Sequence, residues 1–231
     1  MDVQPLRNNL ESVRARVAGA AARSGRGPSA VTLVAVTKKT PAAWVVPLVG
    51  MGVGDLGENY PQELWAKAGA VGPLPVRWHL IGHLQGNKAK KTLATVRMIH
   101  AVDSLKLLKA LDDLAAGLDD PPGVCLQVNT SGEAAKHGWA PEDLARDAEA
   151  IAACSFLPVV GLMTIAGYGT TPETARPCFA GLRVLRDEMK VRTGLALEHL
   201  SMGMSGDFEA AIEEGATLVR VGSALFEGVG P

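Results

Sequence analysis

Eight short apolar runs, rich in β-branched residues and separated by helix-like stretches, constrain this chain more than any other feature. They are Val31–Thr37, Val53–Gly57, Arg77–Ile81, Met98–Val102, Val124–Asn129, Leu157–Ile165, Glu198–Met202 and Thr217–Val221. Runs of this length and composition read as buried strands. Strand alternating with helix implies parallel pairing through right-handed crossovers, since a parallel neighbour lies beyond the reach of a tight turn. Eight such units close the sheet on itself. The expected fold class is α/β: one (β/α)8 TIM-like barrel over residues 1–231, a length ordinary for a single domain of this kind.

An extra helix precedes the barrel. Leu6, Leu10, Val13 and Val17 fall at helical spacing between Pro5 and Ser24, and Gly25 is a natural stop. Within the repeat, Ser104 is an N-cap candidate for Leu105–Leu118, Pro141 suits a first turn, and Asp207 precedes Phe208–Glu214. Pro47 falls inside the helix expected after the first strand and should kink or shorten it. Pro177, near the start of another helix, is less disruptive.

Charge and cysteine usage narrow the function classes. Lys and Arg total 23 against 24 Asp and Glu, so no clustered basic excess suggests nucleic acid. Cys125, Cys154 and Cys178 are widely spaced, with no CxxC or Cys/His pattern, so a reduced intracellular protein without a metal is expected. The first 26 residues are charged throughout and lack an apolar signal core. No stretch approaches the roughly 18 apolar residues of a membrane span. A cytoplasmic chain is expected.

Chemistry in such barrels sits at the C-terminal ends of the strands, and unusual polar residues gather there. They include Lys38–Lys39, Glu58–Asn59, His79, Asp103, Asn129–Thr130–Ser131, Ser201–Met202–Gly203–Met204–Ser205 and Arg220 before Gly222–Ser223. Alternation puts Lys38 in phase with Val34 and Val36, and Lys39 with Ala35 and Thr37, without saying which phase faces inward. A lysine turned inward would be a desolvated, nucleophilic amine. Gly222–Ser223 offers backbone N–H groups to a phosphate, with Ser201 and Ser205 placed to add hydroxyls; an ordinary turn is the plainer reading. Arg220, inside an apolar strand, needs either a ligand or a partner such as Glu198 or Asp103. Lys88, Lys90 and Lys91 read as a solvated helix face.

Taken together, several motifs resemble the pyridoxal phosphate homeostasis proteins. They are Ala35-Val36-Thr37-Lys38, Gly57-Glu58-Asn59-Tyr60-Pro61-Gln62-Glu63 and Trp78-His79-Leu80-Ile81-Gly82-His83-Leu84-Gln85-Gly86-Asn87-Lys88, followed by Gln127-Val128-Asn129 with Glu133 and Lys136. Gly161-Leu162-Met163-Thr164-Ile165, Leu200-Ser201-Met202-Gly203-Met204-Ser205 and Arg220-Val221-Gly222-Ser223 complete the set, in order, from about residue 5 onward. The resemblance extends to the N-terminal barrel of alanine racemases, a fold type III architecture. It implies pyridoxal 5′-phosphate as cofactor, held as a Schiff base on Lys38 rather than Lys39. Ser205, Gly222 and Ser223 would hold the phosphate, Arg220 would face the pyridine nitrogen, Asn59 and His79 would line the site, and Met204 would lie beside the ring. Glu227 departs from the family, which usually carries glycine there.

Racemisation needs acid/base groups on both faces of a substrate carbon. In alanine racemases the second group is a tyrosine from a C-terminal domain; this sequence ends at Pro231, and Tyr60 and Tyr168 match no such motif. The resemblance therefore implies a non-catalytic binder that buffers or delivers the cofactor, as a monomer or weak homodimer in passing contact with apo-enzymes. A low-activity amino-acid racemase is the alternative.

Overall fold

The computed structural model describes residues 2–133 and 136–230. Helix α1 (Gln4–Arg23) buries Leu6, Leu10, Val13 and Val17, the stripe its spacing predicted. Eight strands follow: β1 (Thr32–Val36), β2 (Asp55–Glu58), β3 (Arg77–Leu80), β4 (Met98–Val102), β5 (Gly123–Gln127), β6 (Val159–Met163), β7 (His199–Ser201) and β8 (Leu218–Val221). All pair in parallel, and β8 returns to β1 to close the barrel.

The intervening helices are α2 (Val45–Gly50), α3 (Pro61–Val71), α4 (Ala89–Leu93), α5 (Leu105–Ala115), α6 (Pro141–Arg146), α7 (Ala148–Ala152), α8 (Pro172–Thr193) and α9 (Phe208–Glu213), with α10 (Ser223–Phe226) after the last strand. Ser104 caps α5 by accepting from the Leu107 N–H, and Pro141 opens α6. Pro47 shortens its helix as expected. A 3-10 turn at Ala42–Trp44 leads into α2, which lasts six residues with Pro47 in its first turn, where a missing N–H costs little. The 22-residue α8 runs through Pro177.

Strand ends differ from expectation where the backbone is claimed by another partner. Val53 was expected in the second strand, but its N–H bonds Leu48 O at the close of α2, so β2 starts later. Val128 still donates to Met163 O of β6, but the Asn129 N–H turns to Trp139 O, while the Trp139 N–H takes Gln127 O, so the ladder ends before Asn129.

Two apolar layers result. Val34, Met98, Ala101, Cys125, Met163 and Leu218 fill the barrel interior. Ala35, Leu56, Leu80, Val124 and Leu162 belong to the larger core that includes the helices. The phase left open by sequence is thereby settled: Val34 faces inward, and Lys38 follows it at even spacing. On the outer side, Glu58 is fully buried and takes Lys67 Nζ of α3 at 2.5 Å. Thr37 Oγ1 donates to the same carboxylate, and Lys67 also donates to Thr37 O, tying the ends of β1 and β2 to α3 just below the mouth.

Among the described residues no helix is long and apolar enough to cross a membrane. All three cysteines are free, and burial pushes the Cys125 thiol up to about 12, so it is inert at neutral pH.

Candidate functional site

The mouth above β1, β2, β7 and β8 holds a cavity of about 1000 Å³. Lys38, Asn59, Ser205, Gly222 and Ser223 line it, which brings together five of the eight expected site residues. Lys38 stands two residues past the end of β1, beyond the ladder, and is exposed rather than withdrawn from water. Lys39 lines the cavity too, with φ at 62°, and the Thr40 N–H closes a turn onto Thr37 O. Such left-handed backbone costs a non-glycine residue on the order of 1 kcal/mol. It ends the strand's alternation at Lys38, the lysine in phase with the interior.

Asn59 is held by close backbone contact. A Cβ on Gly82 would lie 2.2 Å from Asn59 O, so only glycine lets the loop after β3 pass so near.

The opposite wall is made by the end of β8. Register sets Val34 beside Arg220 and Ala35 beside Val221, so Gly222 arrives level with Val36. A Cβ on Gly222 would meet Val36 Cβ and O at 3.2 Å. The N–H groups of Gly222 and Ala224 both donate to Ser205 Oγ, at 3.3 and 3.2 Å. Two backbone donors thus converge on one oxygen position, and a phosphate oxygen is a stronger acceptor for the same pair. Asn9 of α1 donates to Leu225 O and Glu227 O, fixing the far end of α10.

Below the cavity a continuous polar chain crosses the barrel interior. Arg220 Nη1 donates to Ser201 Oγ at 2.5 Å, and Nη2 to Thr164 O at 2.9 Å. Ser201 Oγ meets His100 Nδ1 at 2.6 Å; His100 Nε2 meets His79 Nδ1 at 2.8 Å; His79 Nε2 meets Asp55 Oδ1 at 3.0 Å. Arg77 closes the far end with two bonds to Asp55.

Donor and acceptor roles follow from the ends of that chain. Burial, reinforced by the nearby Arg220 guanidinium, holds the His100 pKa well below 6.5, so His100 is neutral. Ser201 then donates to His100 Nδ1, and His100 donates from Nε2 to His79. His79 in turn donates to Asp55. Burial alone would raise the Asp55 carboxyl, but hydrogen bonds from His79 and Arg77 prevail and hold it down to about 2. Burial brings Arg220 down to about 10, which still leaves it charged at neutral pH.

Four residues are placed differently from the sequence reading. Arg220 pairs with neither Glu198 nor Asp103; its two bonds go to neutral oxygens, and Asp103 takes His83 instead. Ser201 lies fully buried beneath the cavity, occupied with His100 and Arg220, so it adds no hydroxyl at the phosphate end. His79 is likewise 2% exposed inside the barrel and reaches the site only through His100 and Ser201. Met204 is 40% exposed and is not part of the cavity lining.

Asp55 and His100 went unremarked in sequence although each is a polar residue inside an apolar run, a pattern that signals a satisfied buried group. Arg16, Tyr60, Phe226 and Glu227 also line the cavity. Arg16 lies across the Phe208 ring at 4.5 Å and pairs with Glu209, a placement that only tertiary packing reveals.

Comparison with known proteins sets this geometry in a family. The family model for the alanine racemase N-terminal domain matches residues 1–229. The pyridoxal phosphate homeostasis protein of Pseudomonas aeruginosa is 44% identical over 218 residues, covering 94% of this chain and 93% of that protein. The chain belongs to the pyridoxal phosphate homeostasis protein family. Family members of that name extend to Mus musculus, at 41% identity over 94% of this chain. The structure of PipY from Synechococcus elongatus with PLP bound superposes with a TM-score of 0.86 at 36% identity, covering 96% of this chain and 99% of that one. Alanine racemase from Clostridium difficile shares the fold alone, with a TM-score of 0.76 at 14% identity over 59% of its length.

Proposed function

We propose that this chain binds pyridoxal 5′-phosphate at the barrel mouth and serves in its homeostasis, holding and releasing the cofactor without catalysing a reaction of its own. The observation that carries this reading is the shared cavity of β1 and β8: an amine at Lys38 and a pair of converging N–H groups at Gly222 and Ala224 line the same space. The cofactor supplies an electrophilic aldehyde at one end and a phosphate dianion at the other, and the two walls offer a partner for each.

Lys38 provides the primary amine for the aldehyde. Its exposure fits a carrier, because an amine in contact with water can release what it holds by hydrolysis. Ser205, Gly222 and Ser223 take the phosphate, and Asn59 borders the ring. Arg220 faces the ring nitrogen from below. It spends two N–H groups on Ser201 and Thr164 and keeps three for that purpose. A guanidinium donates without surrendering its proton, so a nitrogen facing it stays unprotonated and the ring is a weak electron sink. The same wiring that orients Arg220 therefore mutes the carbanion chemistry a racemase would need. We place the protein in the cytoplasm, as one domain over residues 1–231, acting as a monomer or weak dimer and passing its cargo to apo-enzymes.

The test is spectroscopic. Chain loaded with pyridoxal phosphate should show a visible absorbance band that Lys38→Ala abolishes; a band unchanged in that variant sinks the assignment. Proton–deuterium exchange at Cα across a panel of amino acids should be absent. Exchange that depends on Lys38 would instead favour a low-activity racemase.

A further inference from the structure

We propose that the rim opposite the cofactor cavity carries a divalent transition-metal site formed by His83, Asp103 and His137. His83 lies in the loop after β3, Asp103 directly follows β4, and His137 belongs to the loop after β5. In the closed strand order these loops face the β7–β8 side of the mouth. The three residues are far apart in sequence, so no spacing motif announces them, and the absence of a metal expected from cysteine spacing did not bear on them.

The three donor atoms lie within 4.8 Å of one another. His83 Nδ1 is 2.8 Å from Asp103 Oδ2, and His137 Nδ1 is 3.9 Å from the same oxygen. The imidazole rings stack, with centroids 5.3 Å apart and planes 23° apart. A hydrogen bond accounts for the first contact. The second is too long for one, yet it brings another imidazole nitrogen to the same oxygen. Ligand atoms at roughly 2.0–2.1 Å from a tetrahedral ion stand about 3.3 Å apart, and the two observed separations bracket that value. Two imidazoles and one carboxylate, with a fourth position open to solvent, suit Zn²⁺, Ni²⁺ or Cu²⁺ over Mg²⁺ or Ca²⁺.

Electrostatics permit the ion. Asp103 is 10% exposed and supplies the anion. The neighbouring cation, Lys136, is engaged by Ile165 O, Ala166 O and Glu133. An ion would replace the His83–Asp103 hydrogen bond, since the imidazole tautomer that carries its proton on Nε2 presents Nδ1 as a lone pair. Such an ion would clip together three adjacent loops of the mouth.

The experiment is a calorimetric titration of untagged, chelator-treated chain with Zn²⁺, accompanied by the visible spectrum of the Co²⁺-loaded form. One ion per chain is expected, bound at least about tenfold more weakly in His83→Ala and in His137→Ala, and unchanged in Cys154→Ser. The Co²⁺ form should show ligand-field bands without thiolate charge transfer. Absence of stoichiometric binding, or binding that survives both histidine substitutions, overturns the site. Should either variant fail to fold, thiolate charge transfer in the parent chain overturns it equally. Retention of the cofactor's absorbance band in the histidine variants keeps this result separate from the fate of the cofactor site.

Discussion

At the scale of single residues, the site divides into groups that touch the cavity and groups that hold them. Glu227 is among the first, an exposed carboxylate lining the space assigned to a phosphate. Like charges repel, so Glu227→Gln should tighten pyridoxal phosphate binding several-fold, with the gain shrinking as salt is added; titration at two ionic strengths checks this. Ser201 is among the second. Removing its hydroxyl leaves a buried guanidinium N–H and His100 Nδ1 without partners, a cost of about 1–3 kcal/mol. Ser201→Ala should therefore lower stability by that order in urea unfolding while leaving Lys38 able to react. Sequence patterning picked out the Lys38–Lys39 pair, Asn59, Ser205, Gly222 and Ser223 because strand-end position is itself a signal in a barrel; the family resemblance, not the pattern, singled out Lys38. It could not place His79 or Ser201, since being near a strand end does not say how deep a side chain lies. The His79–His100–Asp55 chain joins three strands, and one-dimensional spacing carries no information about such contacts.

Among the elements, strand identity was readable because buried parallel strands are apolar on both faces. Boundaries were less so, as Val53 and Asn129 show: each satisfies its N–H elsewhere. The junction of β2 with α3 illustrates what sequence conceals. Glu58 ends a strand and looks like a rim residue, yet it points outward to Lys67 and is fully buried. Lys67→Met would strand that carboxylate without a counter-charge, and a loss of about 3–5 kcal/mol is expected by denaturant unfolding. At the β1–β8 seam, Gly222→Ala forces a methyl against Val36 and displaces the converging N–H groups. Cofactor affinity should fall much further than stability. Equal losses in both would mean that the turn is merely structural.

For the molecule as a whole, the buried polar chain makes stability depend on acid. His100 has a folded pKa below 6.5, so the unfolded chain takes up its proton first as pH falls and stability declines from about pH 6.5 downward. Asp55 works in the same direction at lower pH: its contribution is complete above 3.8 and is lost as pH falls through about 2. Thermal unfolding from pH 8 to 3 should show the first decline, and His100→Asn should flatten it near pH 6. Reduction of the cofactor-loaded protein with borohydride, followed by peptide mass spectrometry, tests most directly the one amine at the mouth of the closed barrel. A pyridoxyl-phosphate adduct on Lys38 at about one per chain is the expected result. An adduct confined to Lys39 or to another lysine, or none at all, would contradict it.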